Sequence, residues 1–233
     1  MTYEEAQQWL DALRQYEYRA DLTAFVRRDQ FGGDWFAQNL VPGNREQTMA
    51  FEDRFRRNAP DHSEAWFEVV FWKLFSMPPR RNQLTSSIIE TSHRGTPQDF
   101  WNACTAFTRE GSLGTFAVLQ QFFVAKNALP VVATFVAFAS PERFPMIDVQ
   151  VVRAVRSYCL AHPEAAHNGL FARQHDRPLT TRDWDFYCAW IKWCRSSALI
   201  LEDRTGTHWR ARDVEMAAFQ NERSHMPALP LIA

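Results

Sequence analysis

The chain has 233 residues, of which 46% are hydrophobic and 14% aromatic, and its formal net charge is −1. That much apolar material builds a real core and excludes a disordered chain, while the near-neutral charge offers no global basic field for nucleic acid. No run of 18 or more apolar residues occurs and the opening MTYEEAQQWL is acidic and amphipathic, so neither a membrane span nor a secretory signal is expected, and a cytoplasmic protein is.

The predicted elements are nearly all helical. Thr2-x-x-Glu5 is a capping-box pattern, and Trp9, Leu10, Leu13 and Tyr16 follow at helical spacing, giving an amphipathic helix to about Ala20. A second helical piece is expected over Leu22 to Arg28. Gly32, Gly33, Pro42 and Gly43 then mark an irregular loop. Arg45 to Arg57 reads as a charged helix with Met49, Phe51 and Phe55 as its narrow apolar face. Asp61-x-x-Glu64 offers another capping box for a helix from Ala65 to Ser76, apolar nearly all round apart from Glu68 and Lys73 and therefore central.

A proline-stiffened loop follows, Ser76 to Gln83, with a helical restart expected over Leu84 to Glu90. Thr96-Pro97 is an N-cap with proline at the first helical position, opening a helix through Phe100 to Arg109. Gly111 and Gly114 bracket a turn before a helix from Phe116 to Val124. His162 to Pro178 is polar and reads as a long surface connection. Thr180-x-x-Asp183 caps the longest helix, Trp184 to Leu201, and the segment from Trp209 begins a last helix to about Glu222.

Between these lies the stretch that organises the rest, residues 126–156. Leu129 to Ala139 is almost wholly apolar and predicts a helix buried on all sides. Pro141 and Pro145 stiffen an elbow that ends it. Asp148 stands at the N-cap position of a second helix carrying Val149, Val151, Val152 and Val155 and running to about Ala161.

Pro145-Met146-Ile147-Asp148-Val149-Gln150-Val151-Val152-Arg153 resembles the P-x-x-D-x-x-V-x-R segment of the helix-hairpin-helix DNA glycosylase superfamily. The resemblance runs over roughly Leu129 to Arg156 and more loosely from Ala65 to Phe219, and does not reach residues 1–60. It implies an all-α, two-lobed helical bundle with a cleft between the lobes, formed by residues 61–233 and preceded by an N-terminal helical extension, residues 1–60. On the match, Asp148 takes the place of the catalytic aspartate. Two departures stand out: Lys126-Asn127-Ala128 replaces the hairpin's Gly-hydrophobic-Gly turn, and Pro130 stands where bifunctional members carry the Schiff-base lysine. The second implies a monofunctional enzyme without lyase activity.

The chemistry needs few groups. A departing base leaves an oxocarbenium-like sugar, which a carboxylate can stabilise while positioning or deprotonating water. Taken from the residues alone, Asp148 is equally an ordinary N-cap. The resemblance assigns phosphate contacts to Lys126, Asn127 and Ala128 at a helix start, where Asn127 can supply a left-handed turn. Wedge and backbone contacts fall to Arg80, Arg81, Asn82 and Gln83, with Arg153 further along the aspartate's helix. Base stacking falls to Trp66, Trp72 and Trp190, although aromatics at this spacing also serve as core. Three of the 26 basic residues are lysine and 23 are arginine, which suits bidentate phosphate contacts, or reflects GC-rich coding.

The expected protein is thus a monomeric DNA N-glycosylase acting on a damaged or modified base in double-stranded DNA, in repair or in defence against modified foreign DNA. No cofactor and no metal are expected: there is no GxxxxGK, no HExxH and no CxxC, and Cys104, Cys159, Cys188 and Cys194 read as buried free thiols without an iron–sulfur loop. Two alternatives remain open, a non-catalytic DNA-binding module of the same fold and a modified-base transferase.

Overall fold

The computed structural model describes residues 1–18, 43–74, 79, 82–83, 86, 96–122, 129–162, 170–172 and 179–225. Among the described residues the regular elements are all helical: α1 (Tyr3–Arg14), α2 (Arg45–Asn58), α3 (Ser63–Lys73), α4 (Pro97–Glu110), α5 (Leu113–Gln120), α6 (Leu129–Ala139), α7 (Val149–Ala161), α8 (Trp184–Thr205) and α9 (Ala211–His225). A single 3₁₀ turn, Thr181–Asp183, leads into α8. None of these helices is long and apolar enough to cross a membrane. The all-α class expected from the sequence is therefore observed.

The chain divides into two compact units, Met1–Tyr16 with Pro141–Ala233, and Glu17–Ser140. Residue 60, where the sequence reading separates an extension from the main body, falls between α2 and α3 within the second of these. The expected pieces over Leu22 to Arg28 and Gly32 to Pro42 lie outside the described residues, as do most of the Ser76 to Glu90 and His162 to Pro178 segments.

In the Glu17–Ser140 unit, α6 is the centre. Leu129 and Val131 to Phe138 are all buried, and Pro130 sits in the first turn, where a missing N–H costs no helical bond. The hydroxyl of Thr134 donates to the Pro130 carbonyl at 2.7 Å, so even the polar residue of this helix is satisfied within it. Helices α2, α3, α4 and α5 pack around it. Phe135 lies 5.0 Å from the Trp66 ring, and Phe138 lies 5.1 Å from Phe51 and 5.2 Å from Trp72. Offset and edge-on pairs of this kind add to the plain area buried. Glu68, buried on α3, is met by Arg54 of α2 at 3.3 Å. Burial pushes its carboxyl above the ordinary range, and the guanidinium pulls the other way.

In the other unit, α9 is buried from Ala211 to Phe219 and packs against α1, α7 and α8. The capping box at Thr2 and Glu5 forms as expected, with the Thr2 amide 2.6 Å from Glu5 Oε2. However, α1 stops at Arg14 rather than near Ala20. Tyr16 turns its ring onto Phe219 at 6.2 Å, whereas Tyr18 packs on Trp72 at 4.6 Å, in the second unit. The chain passes from one core to the other within three residues, and a continuing helix cannot serve both.

Two further expectations are corrected. The Asp61-x-x-Glu64 box does not form: α3 starts at Ser63 after His62, which makes no side-chain cap bond. There the amides of Asp61 and His62 both donate to the Asn58 carbonyl, so the end of α2 turns straight into α3 and leaves Asp61 no capping position. Gly114 lies inside α5, which begins after the Ser112 N-cap, rather than in a turn. Gly111 alone makes the break, with φ of 65°, a conformation that glycine adopts without strain. Gly206 ends α8 in the same way, one turn beyond the expected Leu201.

Candidate functional site around Asp148

Asp148 is the N-cap of α7, as its sequence position predicts. Its backbone is extended (φ −153°, ψ −172°) and Oδ1 accepts from the amides of Gln150 at 2.9 Å and Val151 at 3.1 Å. One oxygen thus satisfies two of the amides that a helix start leaves without intrahelical partners. The side chain is half-buried, and the helix dipole favours its negative charge.

What sets its position is the loop before it. Phe144, Pro145, Met146 and Ile147 are all buried, so the segment is a packed wall rather than a solvated connection. Two side chains of α8 hold its carbonyls: the Tyr187 hydroxyl donates to Pro145 at 3.2 Å and the Trp190 indole N–H to Met146 at 3.0 Å. Earlier in the loop, the amides of Arg212 and Ala211 donate to the carbonyls of Pro141 at 3.0 Å and Glu142 at 3.3 Å. Hence α8 fixes one half of the loop and the start of α9 fixes the other.

The start of α9 is itself held by buried charge. Arg210 makes a two-pronged contact with Asp213, Nε to Oδ2 at 3.0 Å and Nη2 to Oδ1 at 2.8 Å, while Asp213 Oδ2 also accepts the Arg210 amide at 3.0 Å. Arg212 pairs with Glu215 alongside. All four side chains are at most 3% exposed. Charges buried this deeply persist only when matched and hydrogen-bonded, and these two pairs brace the backbone that grips Pro141 and Glu142. From local pattern, Trp209 onward shows only a helix start. The signal that could have revealed the brace is the i, i+3 pairing of opposite charges, Arg210 with Asp213 and Arg212 with Glu215, inside an otherwise apolar run. Tyr187 and Trp190 are likewise missed as supports of the aspartate: Tyr187 reads as one of a helix's regularly spaced aromatics, and Trp190 reads as a base-stacking candidate.

The remaining predicted site residues fall as follows. Arg153 is exposed on α7, its Nη1 3.5 Å from Gln150 Oε1. Asn82 and Gln83 are exposed and helical, in the Glu17–Ser140 unit. Arg80, Arg81, Lys126, Asn127 and Ala128 lie outside the described residues. Trp66, Trp72 and Trp190 are at most 2% exposed. Trp66 donates its indole N–H to the Ala59 carbonyl at 2.8 Å and packs on Phe55, Phe100 and Phe135. The indole N–H of Trp72 is buried with no hydrogen-bond partner among the described residues. All three rings are built into cores in this structure, and Trp190 touches the loop that carries Asp148.

Of the four cysteines, Cys104 and Cys194 are buried and Cys159 and Cys188 half-buried, all as free thiols. Burial pushes each thiol above its ordinary range. Among the described residues no group of three or more histidine, cysteine, aspartate or glutamate side chains is placed to hold a metal ion.

No family model matches this chain, and no curated protein or solved structure matches it. Chemically, the site is one pre-positioned carboxylate at a helix start, with the surrounding backbone held by two neighbouring helices. Such a group can stabilise developing positive charge and orient a water without moving itself.

Proposed function

We propose that this chain is a monofunctional DNA glycosylase, hydrolysing the N-glycosidic bond of a damaged or modified base in double-stranded DNA, in repair or in defence against modified foreign DNA. The observation that carries the reading is Asp148: a half-buried carboxylate, fixed by two backbone N–H groups at the start of α7, at the end of a loop whose sequence resembles the glycosylase segment. As the base departs with the bonding electrons, C1′ of the sugar becomes positive, and the Asp148 charge lowers the energy of that state. Water then adds to C1′ and gives up its proton, and the departing base takes one up.

The base must leave the duplex before it is attacked. We assign phosphate contacts to Lys126, Asn127, Ala128 and Arg153, and contacts in the opened duplex to Arg80, Arg81, Asn82 and Gln83. Pro130 in place of a lysine leaves no amine there for Schiff-base chemistry, so strand cleavage by β-elimination is not part of the proposal. The protein acts as a monomer and without a cofactor.

The deciding experiment offers the protein a panel of duplex oligonucleotides, each with one lesion or modified base, and scores abasic sites. The proposal predicts release of at least one base, with no covalent adduct trapped by borohydride. Tight duplex binding with no release from any member would replace it with the second reading, a non-catalytic DNA-binding module. That reading has its own support: both hydrogen bonds of Asp148 Oδ1 are already explained by capping α7.

A further inference from the structure

A cavity of about 140 Å³ opens between α7, α8 and α9, in the unit that contains Asp148. Its interior is aromatic. Trp9 of α1, Trp190 and Trp193 of α8 and Tyr158 of α7 line it, together with the buried Val155 and Leu170. The rings brace one another: Trp190 stacks on Trp193 at 5.3 Å with planes 14° apart, Tyr158 stands edge-on to Trp193 at 5.1 Å, and Trp9 lies 5.7 Å from Trp193. Apart from the ring N–H and O–H groups, the polar side chains of the lining belong to residues that remain partly exposed. Ser157, Asn221 and Glu222 form the rim, where the Ser157 hydroxyl donates to Glu222 Oε2 at 3.3 Å.

This is a different place from the candidate catalytic aspartate. Along α7, Ala154 lies six residues and Tyr158 ten residues beyond Asp148, about 9 and 15 Å at a rise of about 1.5 Å per residue. The buried side chains of Val151 and Val152 fill the helix turn between.

Size, walls and rim together define an occupant. An apolar cavity of about 150 Å³ holds one benzene-sized ring, so a single six-membered aromatic ring fits this one. Aromatic walls favour a ring through edge-to-face packing and a cation through their faces. The carboxylate at the mouth selects a positive charge on a short arm. We propose that this cavity is a binding site for an arylalkylamine in its ammonium form, a single aromatic ring with the charge on a short alkyl arm, the ring packed against Trp9, Tyr158 and Trp193 and the ammonium paired with Glu222.

The test is titration of the full chain with 2-phenylethylamine, followed by tryptophan fluorescence and calorimetry. Two analogues separate the contributions: 2-phenylethanol keeps the ring without the charge, and butylamine keeps the charge without the ring. Saturable binding of the amine is expected, with the alcohol about tenfold weaker, as loss of one charge-assisted contact implies, and no saturation with butylamine. Glu222→Gln should bring the amine down to the affinity of the alcohol, and Ala154→Leu, which fills the cavity from a partly exposed position, should abolish binding of both. Asp148→Asn should bind the amine like the parent chain, so the outcome is independent of any base release. Equal affinity for amine and alcohol, unchanged binding by Ala154→Leu, or no saturable binding of the amine overturns the proposal.

Discussion

Asp148 does two jobs in this account, and a pair of substitutions separates them. Asp148→Ala removes the oxygen that serves the amides of Gln150 and Val151 at 2.9 and 3.1 Å. Losing an N-cap of this type costs about 1 kcal/mol, and losing the charge at the helix start costs roughly 0.3–1 kcal/mol more. The alanine variant should therefore be destabilised by about 1.3–2 kcal/mol. Asparagine keeps an equivalent acceptor, since asparagine and aspartate cap about equally well, and loses only the charge term, roughly 0.3–1 kcal/mol. For a chain of this length about 1 kcal/mol moves Tm by roughly 2–4 °C. Thermal and urea unfolding, followed by circular dichroism and tryptophan fluorescence, read both differences. Trp190 is a local reporter, because its indole N–H holds the Met146 carbonyl two residues before the aspartate. If asparagine and alanine destabilise equally, or neither does, Asp148 is not held by the cap geometry described here.

Three further outcomes follow from the buried groups. Arg210→Ala takes the guanidinium away from the Asp213 carboxylate, itself 0% exposed, and should cost about 3–5 kcal/mol in an unfolding titration, far more than a surface arginine; a loss under about 1 kcal/mol would remove the α9 start as a brace of the loop. Burial raises the pKa of Glu68 in the folded state, so the folded chain holds that proton more tightly than the unfolded one. Its contribution to stability is then full below the unfolded pKa of about 4.3 and falls as pH rises through the folded value; Glu68→Gln should flatten that part of a stability-versus-pH curve, and an unchanged slope would refute the assignment. Because burial suppresses all four thiolates and encloses Cys104 and Cys194 fully, a thiol reagent should label at most Cys159 and Cys188 in the native protein and all four in denaturant. Fast native labelling of Cys104 would contradict the core packing of α4 against α6.

The sequence was informative where local chemistry and tertiary packing agree. The bounds of α6 and α7 follow from an apolar run, two prolines and a capping aspartate, and the structure places them at Leu129–Ala139 and Val149–Ala161. Thr96-Pro97 marks the start of α4 for the same reason, with Asp99 completing a capping box. Where long-range packing decides, local pattern is a poor guide. The end of α1 is set by Tyr16 and Tyr18 serving different cores, while at Asp61 a competing local turn from Asn58 into α3 takes the place of the cap. At the site, the aspartate is legible because capping is local. Its supports are not, because Tyr187, Trp190 and Arg212 reach the loop from helices far along the chain.

The most direct measurement is single-turnover release of base from a responsive duplex, comparing the parent chain with Asp148→Asn at matched folded fraction. The parent should leave abasic sites, and the asparagine variant, folded and still bound to DNA, should leave none. Equal release rates from the two proteins would contradict a catalytic Asp148.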